Sequence, residues 1–270
     1  MKTTCSELGR LLKVTALIMA RYLGIPRRSE ESWQFFADLY SRYCADRALR
    51  LPEGMVPIDG STLFPELRNA SLFFYAPFGP LWSGQFSAQS PSLVSPRELW
   101  TLGGMVKVLQ PGSIFEFGTY HGWTTANLAM NAPEGCKLYT MDQQRLPHLD
   151  PWIERVFREK SVVQLTADSR EYDYDTHRGT MDFIFIDGDH SRGGVENDTM
   201  AALGMLAENG TIVWHDYNPE HEHVVAYLNS MASERQLFFI KNTRLVVYSR
   251  ARAPMRPDDY RETSGRRPRL

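Results

Sequence analysis

Residues 114–122 read Ile114-Phe115-Glu116-Phe117-Gly118-Thr119-Tyr120-His121-Gly122. An apolar run of strand length thus ends in the pattern Glu-x-Gly-x-x-x-Gly, and a helical stretch from Trp123 to Met130 follows at once. A strand, a glycine turn and a helix in this order bring the backbone close to a nucleotide-like ligand at the start of the helix. The glycine spacing differs from Gly-x-Gly-x-x-Gly, so the stretch does not match the dinucleotide-binding fingerprint.

Around this stretch, strands and helices alternate from Ser95 to Arg250. Ser95 and Glu98 form a capping-box pattern with Pro96 at the first helical position, which predicts a helix to about Leu109. Further strands are predicted at 113–117, 137–141, 162–166, 181–186, 211–214, 236–240 and 245–249. The helices between them are predicted at 123–131, 151–160, 195–207 and 219–234. Asn209-Gly210 is predicted to end the third of these helices.

This alternation predicts the fold class. Apolar strands separated by helices are typical of a parallel sheet that is covered on both faces. The last two strands are joined by the short turn Lys241-Asn242-Thr243, which is too short for a parallel connection. We therefore predict an α/β fold with a doubly wound, mostly parallel, seven-stranded Rossmann-like sheet that ends in an antiparallel hairpin.

The remaining segments differ in composition from this predicted domain at residues 95–250. Residues 1–94 combine two predicted helices (7–23 and 30–48) with a region rich in proline and aromatic residues, and we expect a lid or an oligomer interface there. Residues 251–270 are rich in arginine and proline and are predicted to be disordered.

Composition narrows the classes of partner. Among the 270 residues, Lys and Arg number 30 and Asp and Glu 32, and the net charge of −2 favours neither nucleic acid nor an anionic membrane. The cysteines Cys5, Cys44 and Cys136 fit neither a disulfide framework nor a zinc pattern. The apolar segment Val14–Ala20 is too short to span a bilayer. We therefore expect a cytoplasmic protein.

Ligands of open α/β sheets bind outside the carboxyl ends of the strands, and several predicted strands of this chain end in polar residues there. Glu116 ends the first of them, and Asp142 ends the next, twenty residues after Gly122. Because a carboxylate can accept hydrogen bonds from both hydroxyls of a ribose, we predict this role for Asp142. Asp168 and Ser169 follow the third strand, either as ligand contacts or as the cap of a short helix.

Two later loops hold most of the residues suited to acid–base or metal chemistry. Asp187-Gly188-Asp189-His190 follows one strand, and His215-Asp216 follows the next. Because both loops open at the same sheet edge, Asp187, His215 and Asp216 are predicted to converge on one divalent cation. The alternative is that these acids are hydrogen-bonded turn residues. The sequence His221-Glu222-His223 is interpreted as a solvated helix start.

The glycine stretch resembles motif I of the class I S-adenosylmethionine (SAM) methyltransferases. The resemblance implies that SAM is the cofactor and that its methionine and sugar end is bound by a set of residues from this turn: Glu116, Gly118, Thr119, Tyr120 and Gly122. It also implies an adenine contact for Asp168 and Ser169.

The acid–histidine loops resemble those of bacterial small-molecule O-methyltransferases that act on sugar hydroxyls of natural products, which are relatives of catechol O-methyltransferase. This resemblance implies that Asp187 is both a metal ligand and a SAM-binding residue, that His190 is the catalytic base, and that His215 and Asp216 complete the metal site. The chain departs from the family pattern with a histidine at position 215. The metal is therefore left open, with Mg²⁺ first and Mn²⁺ or Fe²⁺ as alternatives.

The sequence thus predicts a SAM-dependent, metal-assisted O-methyltransferase for a small hydroxylated acceptor, a natural product or a sugar, in a homo-oligomer such as a dimer. A second hypothesis is a non-haem iron hydroxylase on the same fold, since proteins described as cephalosporin hydroxylases are similar in sequence. In that case Asp187, His190 and His215 would hold the iron. A third hypothesis is a non-catalytic SAM-fold subunit.

Overall fold

A mostly parallel sheet forms the centre of the computed structural model, which describes residues 51, 52, 54–58, 63, 94–144 and 149–250. The strands are β1 (Met55–Ile58), β2 (Ser113–Phe117), β3 (Lys137–Asp142), β4 (Val163–Thr166), β5 (Met181–Ile186), β6 (Leu206–Trp214), β7 (Leu237–Ile240) and β8 (Val246–Ser249). Their order across the sheet is β1-β7-β8-β6-β5-β2-β3-β4. Strand β8 runs antiparallel to both β6 and β7, and the other pairs are parallel.

The α/β class and the terminal antiparallel hairpin are therefore confirmed, but the number of strands is not. The sheet has eight strands instead of the predicted seven, because Met55–Ile58 pairs in parallel with β7 at the edge. This strand lies in the stretch that was predicted as an extension, where its four residues carry too little periodicity to be recognised. The predicted division into 1–94, 95–250 and 251–270 stays a prediction.

Helices cover both faces of the sheet. Those described are α1 (Pro96–Leu109), α2 (Trp123–Asn131), α3 (Pro151–Glu159), α4 (Arg192–Met205) and α5 (Glu222–Met231). Leu102, Leu128 and Ile153 from the first three helices share one buried hydrophobic cluster. Val195 and Leu228 from the last two helices belong to a second cluster. Every residue of β2 is buried, so this strand lies between the two layers of helices.

The predicted bounds of helices α4 and α5 were wrong. Helix α4 ends at Met205, and Asn209-Gly210, predicted to end the helix, lies inside β6. The register between β5 and β6 shifts there, and a side chain on Gly210 would meet Leu206 and the Met181 carbonyl. Helix α5 begins at Glu222, three residues later than predicted, with His221 at its N-cap position.

Several predictions fall outside the described residues. These are the helices at 7–23 and 30–48, most of the aromatic-rich region, and the tail at 251–270. Within the described ranges, none of the helices combines the length and the apolar character that crossing a bilayer would require.

Candidate active site

The turn after β2 depends on Gly118. This residue has a φ of +93°, and a Cβ atom built on it would lie 2.1 Å from the carbonyl oxygen of Asp187. The Gly118 N–H donates to the Met141 carbonyl (2.8 Å), and the Asp187 N–H donates to the Phe117 carbonyl (2.9 Å). The absence of a side chain at Gly118 thus lets the ends of β2, β3 and β5 meet closely.

The same turn leads into α2 through Gly122. Gly122 is the N-cap residue with a φ of +76°, and a Cβ there would meet the rings and methyls of Phe157 and Ile153 on α3. No side chain caps α2, and its first turn contains no acidic residue. The first N–H groups of α2 are therefore suited to bind an anionic group of a ligand, such as a carboxylate.

Glu116 lies fully buried beneath the turn. Its Oε2 accepts hydrogen bonds from the hydroxyls of Thr125 and Thr140, whereas its Oε1 has no partner among the described residues. Burial raises the pKa of Glu116 to about 8, although the two hydroxyls act in the opposite direction. An unpartnered buried oxygen fits a carboxyl group that completes its contacts only when a ligand is bound.

The titration of Glu116 should be visible in the stability of the ligand-free protein. Its folded-state pKa is raised, so its stabilising contribution is fully present below the ordinary value of 4.5 and is lost as the pH rises towards about 8. Glu116→Gln removes this dependence. From about pH 5 to about pH 9, the unfolding free energy of the variant should gain on the order of 3 kcal/mol relative to wild type. Urea denaturation at both pH values measures this, and parallel pH curves would contradict it.

Asp142 lies at the end of β3 beside the same turn. Its Oδ2 accepts from the Tyr120 N–H (2.9 Å), and its Oδ1 accepts from the Gln144 N–H (3.2 Å). Tyr120 has a φ of +43°, an uncommon value for a residue other than glycine. A depression beside Asp142 is lined by residues of this turn and of β4, among them Thr119, Leu165 and Thr166. Asp142 therefore faces a space at the carboxyl edge of the sheet.

Asp168 and Ser169 follow β4, where the structure gives them local partners. Asp168 accepts two hydrogen bonds from the Arg170 guanidinium (3.0 and 2.8 Å), and these bonds lower the pKa of Asp168 to about 2. The Ser169 carbonyl accepts from the Tyr174 hydroxyl (2.8 Å). These contacts account for both residues locally, so their adenine role stays a prediction.

The loops after β5 and β6 form a histidine–carboxylate cluster, which consists of Asp187, His190, His215, Asp216 and His221. His190 Nε2 lies 2.8 Å from Asp216 Oδ2 and 3.8 Å from Asp187 Oδ1. His221 Nε2 lies 3.4 Å from the same Asp216 oxygen. Asp216 is fully buried and has a φ of +57°, an uncommon value for a residue other than glycine that is often found at functional sites.

Sequence analysis missed two residues that support this cluster, Glu98 and Arg244. Arg244 is buried and donates from Nη1 to Asp216 Oδ1 (2.5 Å) and from Nη2 to Glu98 Oε2 (3.1 Å). Glu98 also caps α1 and accepts from the Arg244 N–H (2.7 Å). The capping box identifies Glu98 only as a residue that stabilises the start of α1. The sequence marks Arg244 only as a charged residue next to an apolar strand.

His215 is enclosed by this network. Its Nδ1 faces Asp187 Oδ1 (3.0 Å), and its Nε2 faces Glu98 Oε2 (3.2 Å). Burial favours a neutral ring, but the carboxylates of Asp187 and Asp216 together with Glu98 raise the pKa of His215 well above its usual range. His215 is therefore an imidazolium that joins two carboxylates.

The electrostatics of the other cluster residues follow from the same carboxylates. The carboxylates of Asp187 and Asp216 raise the pKa of His190 to about 9. Burial favours a protonated Asp216, but His215, His190 and Arg244 hold the pKa of this carboxyl well below its usual range. Burial lowers the pKa of His221. In the absence of ligands, His190 is thus protonated near neutral pH.

The structure brings together the residues predicted for the metal site. Asp187, His215 and Asp216 have candidate ligand atoms within 4.8 Å of one another. Both ring nitrogens of His215 face carboxylates, so a ligand role would require His215 to exchange one of these contacts for the metal, and this role stays a prediction. The buried Oδ2 of Asp216 makes no well-formed hydrogen bond to the described residues and faces His190 and His221. His221, interpreted as a solvated helix start, lies in the cluster instead, whereas Glu222 and His223 are exposed.

Comparisons with known proteins bear on the fold and on the type of domain. Residues 115–217 match the protein family described as a methyltransferase domain. No curated protein matches the chain in sequence. A solved methyltransferase from Geobacter sulfurreducens is similar in structure, with a TM-score of 0.50 and 16% identity over 72% of this chain and 96% of that chain. The O-methyltransferase TomG from Streptomyces achromogenes, in complex with SAM, is similar with a TM-score of 0.47 and 14% identity, over 82% of this chain and 99% of that chain. At these identities the structural likeness shows the fold alone.

Proposed function

We propose that this protein, whose residues 115–217 match the family described as a methyltransferase domain, is a class I SAM-dependent methyltransferase that transfers the methyl group of SAM to a hydroxyl of a small-molecule acceptor. The observation that carries the proposal is the position of two groups of residues at one edge of the sheet. The glycine turn and Asp142 lie at the ends of β2 and β3, and the histidine–carboxylate cluster lies at the ends of β5 and β6. Strand β2 pairs with both β3 and β5, so donor and acceptor chemistry are adjacent.

SAM, the methyl donor, would be bound by backbone N–H groups and carboxyl groups. The uncapped start of α2 offers N–H groups to the carboxylate of the methionine moiety, and Gly118 permits close approach of the ligand. Glu116 is the buried acid beneath this end of the ligand. Asp142, in its depression, would accept hydrogen bonds from the two ribose hydroxyls. Thr119 and Tyr120 line the same depression.

The part of the site that binds the methyl acceptor needs a group that orients the acceptor hydroxyl and promotes loss of its proton. SAM supplies an already activated methyl group, so the protein contributes mainly position and deprotonation. The histidine–carboxylate cluster combines imidazoles and carboxylates in a partly open site, since the His190 side chain is 34% exposed. His190 was predicted as the base, but a pKa of about 9 leaves it protonated near neutral pH. The negative charge of the neighbouring carboxylates must therefore be offset before His190 can accept a proton.

The class of acceptor rests on the sequence. The resemblance of Asp187, His190 and Asp216 to the loops of small-molecule O-methyltransferases supports a natural product or a sugar. The net charge of −2 favours a small molecule over nucleic acid. The oligomeric state and the cellular location stay predictions.

Asp142→Asn tests the donor half. The amide keeps an acceptor oxygen for one backbone N–H but loses the charge that would bind the ribose hydroxyls. Because hydrogen bonds to charged groups contribute about 1.5–3 kcal/mol, the Kd for SAM should rise about 10- to 100-fold in calorimetry. Asp182→Asn is the matched control, since its carboxylate also accepts backbone N–H groups, from Gly112 (2.8 Å) and Ser113 (3.2 Å), but at the opposite edge of the sheet. Equal SAM affinity in wild type and Asp142→Asn would overturn the assignment.

A further inference from the structure

We infer that Asp216, His190 and His221 bind a divalent transition-metal ion, with Asp216 Oδ2 and the Nε2 atoms of both histidines as ligands. One candidate ligand atom from each of these residues lies within 4.8 Å of the other two. This set differs from the metal site predicted from sequence, because it excludes His215 and includes His221. The inference goes beyond the proposed function, since a metal site here can exist with or without a methyl donor.

The distances between the atoms suit a shared ion. Metal–nitrogen and metal–oxygen bonds of about 2.1 Å, at angles between about 90° and 109°, place neighbouring ligand atoms about 3.0–3.4 Å apart. Asp216 Oδ2 lies 2.8 Å from His190 Nε2 and 3.4 Å from His221 Nε2. The two imidazole rings lie beside each other, with centroids 4.4 Å apart. Small movements of the side chains would therefore complete the coordination.

Two of the three ligand atoms face each other without a well-formed hydrogen bond. His190 Nε2 and Asp216 Oδ2 are both buried and lie 2.8 Å apart as an ion pair, but no hydrogen bond of acceptable geometry joins either atom to the described residues. The Asp216 side chain is 0% exposed, so its oxygen depends on a cationic neighbour. A metal ion between these atoms would take the place of the His190 proton.

The charges around the cluster favour a bound cation. Metal-binding histidines are neutral, so the charges that remain are the carboxylates of Glu98, Asp187 and Asp216, the guanidinium of Arg244 and the imidazolium of His215. Three negative and two positive charges leave this network with a net negative charge. A metal ion would offset this charge when His190 and His221 are neutral.

The surrounding network holds Asp216 for this role. Arg244 binds Oδ1 of Asp216 and thereby leaves Oδ2 as the oxygen that faces the two histidines. Glu98 in turn fixes Arg244 through three hydrogen bonds, from its backbone N–H, Nε and Nη2. Such outer contacts orient metal ligands and are part of metal sites in general.

The chemistry of the ligands indicates the class of metal. Two imidazoles and one carboxylate suit Zn²⁺, Fe²⁺, Co²⁺ or Mn²⁺, whereas Mg²⁺ and Ca²⁺ prefer oxygen ligands throughout. The side chains of His190 and His221 are 34% and 20% exposed, so the site opens to solvent on their side. An ion with three protein ligands keeps open positions, and its chemistry when bound is to lower the pKa of an acceptor hydroxyl and to orient it. His190 would then be a ligand instead of a free base.

Metal binding tests the inference without an activity assay. The full-length protein, freed of metal with a chelator, is titrated with Co²⁺, and the d–d absorption bands report binding. We expect one Co²⁺ per chain in wild type and at least a 10-fold loss of affinity in both His190→Ala and His221→Ala. The matched control is His223→Ala, because His223 is exposed on the same first turn of α5. This variant should bind Co²⁺ like wild type, and Mg²⁺ should not displace the Co²⁺ at equal concentration.

The result that would overturn the inference is unchanged Co²⁺ affinity in His221→Ala, or no Co²⁺ binding by folded wild type. Circular dichroism shows that each variant is folded, and calorimetry with SAM is performed on the same samples. Metal binding without SAM binding would contradict the proposed function and leave this inference intact. SAM binding without metal binding would contradict this inference and leave the proposed function intact.

Discussion

Arg244→Met should lower the free energy of unfolding by about 3–5 kcal/mol, because removing one member of a buried ionic network leaves the others uncompensated. Arg244 is 3% exposed and holds together Glu98, which caps α1, and Asp216, which follows β6. Without the guanidinium, both carboxylates lose their strongest hydrogen-bond donor in a buried position. The loss affects both the fold and the geometry of the candidate active site.

Urea denaturation in the presence of a chelator measures this effect without a contribution from bound metal. Arg178→Met is the matched control, since Arg178 pairs with Asp175 at the surface, where the two side chains are 74% and 71% exposed. Exposed pairs contribute about 0–1 kcal/mol, so this variant should stay within about 1 kcal/mol of wild type. Equal stability losses in the two variants would show that the buried network does not stabilise the fold.

Gly118→Ala should weaken SAM binding about 100-fold or more while the protein remains folded. The added Cβ would lie 2.1 Å from the Asp187 carbonyl oxygen, so the ends of β2 and β5 must separate. A displacement of about 1 Å in a positioned site can reduce its effectiveness about 100-fold. The φ of +93° adds strain for any side chain at this position.

Gly135→Ala separates the clash from the strain. Gly135 also has a positive φ of +79°, but a Cβ there would meet nothing within 4 Å. This variant should lose about 1 kcal/mol of stability and bind SAM like wild type. If calorimetry shows the same SAM affinity for Gly118→Ala and Gly135→Ala, the close approach at Gly118 has no role in donor binding.

The elements that could be predicted from sequence are those with local causes. The capping box of Ser95 and Glu98 places the start of α1, and the apolar run before Gly118 places β2. The hairpin follows from a short turn, at which Asn242 takes a φ of +61°. Residues such as Asp142 and Asp216 could be singled out because they follow apolar strands, where ligand-binding residues collect.

The remaining features depend on contacts between distant parts of the chain. The four residues of β1 become a strand through pairing with β7, which lies about 180 residues later in the sequence. Glu98 and Arg244 are 146 residues apart, and no pattern in the sequence relates them. His221 enters the cluster because α5 starts later than predicted, which leaves His221 at the N-cap position beside Asp216. The contacts of both His215 nitrogens with Glu98 and Asp187 likewise could not be predicted, because they join residues that are far apart in the sequence.

We expect the glycine turn and Asp142 to hold SAM at the carboxyl edge of the sheet. Calorimetric titration of the wild-type protein with SAM measures this binding, with the demethylated product S-adenosylhomocysteine as competitor. We predict one SAM site per chain, from which the product displaces SAM. If the folded wild-type protein shows no saturable binding of either compound, it has no SAM site at this edge.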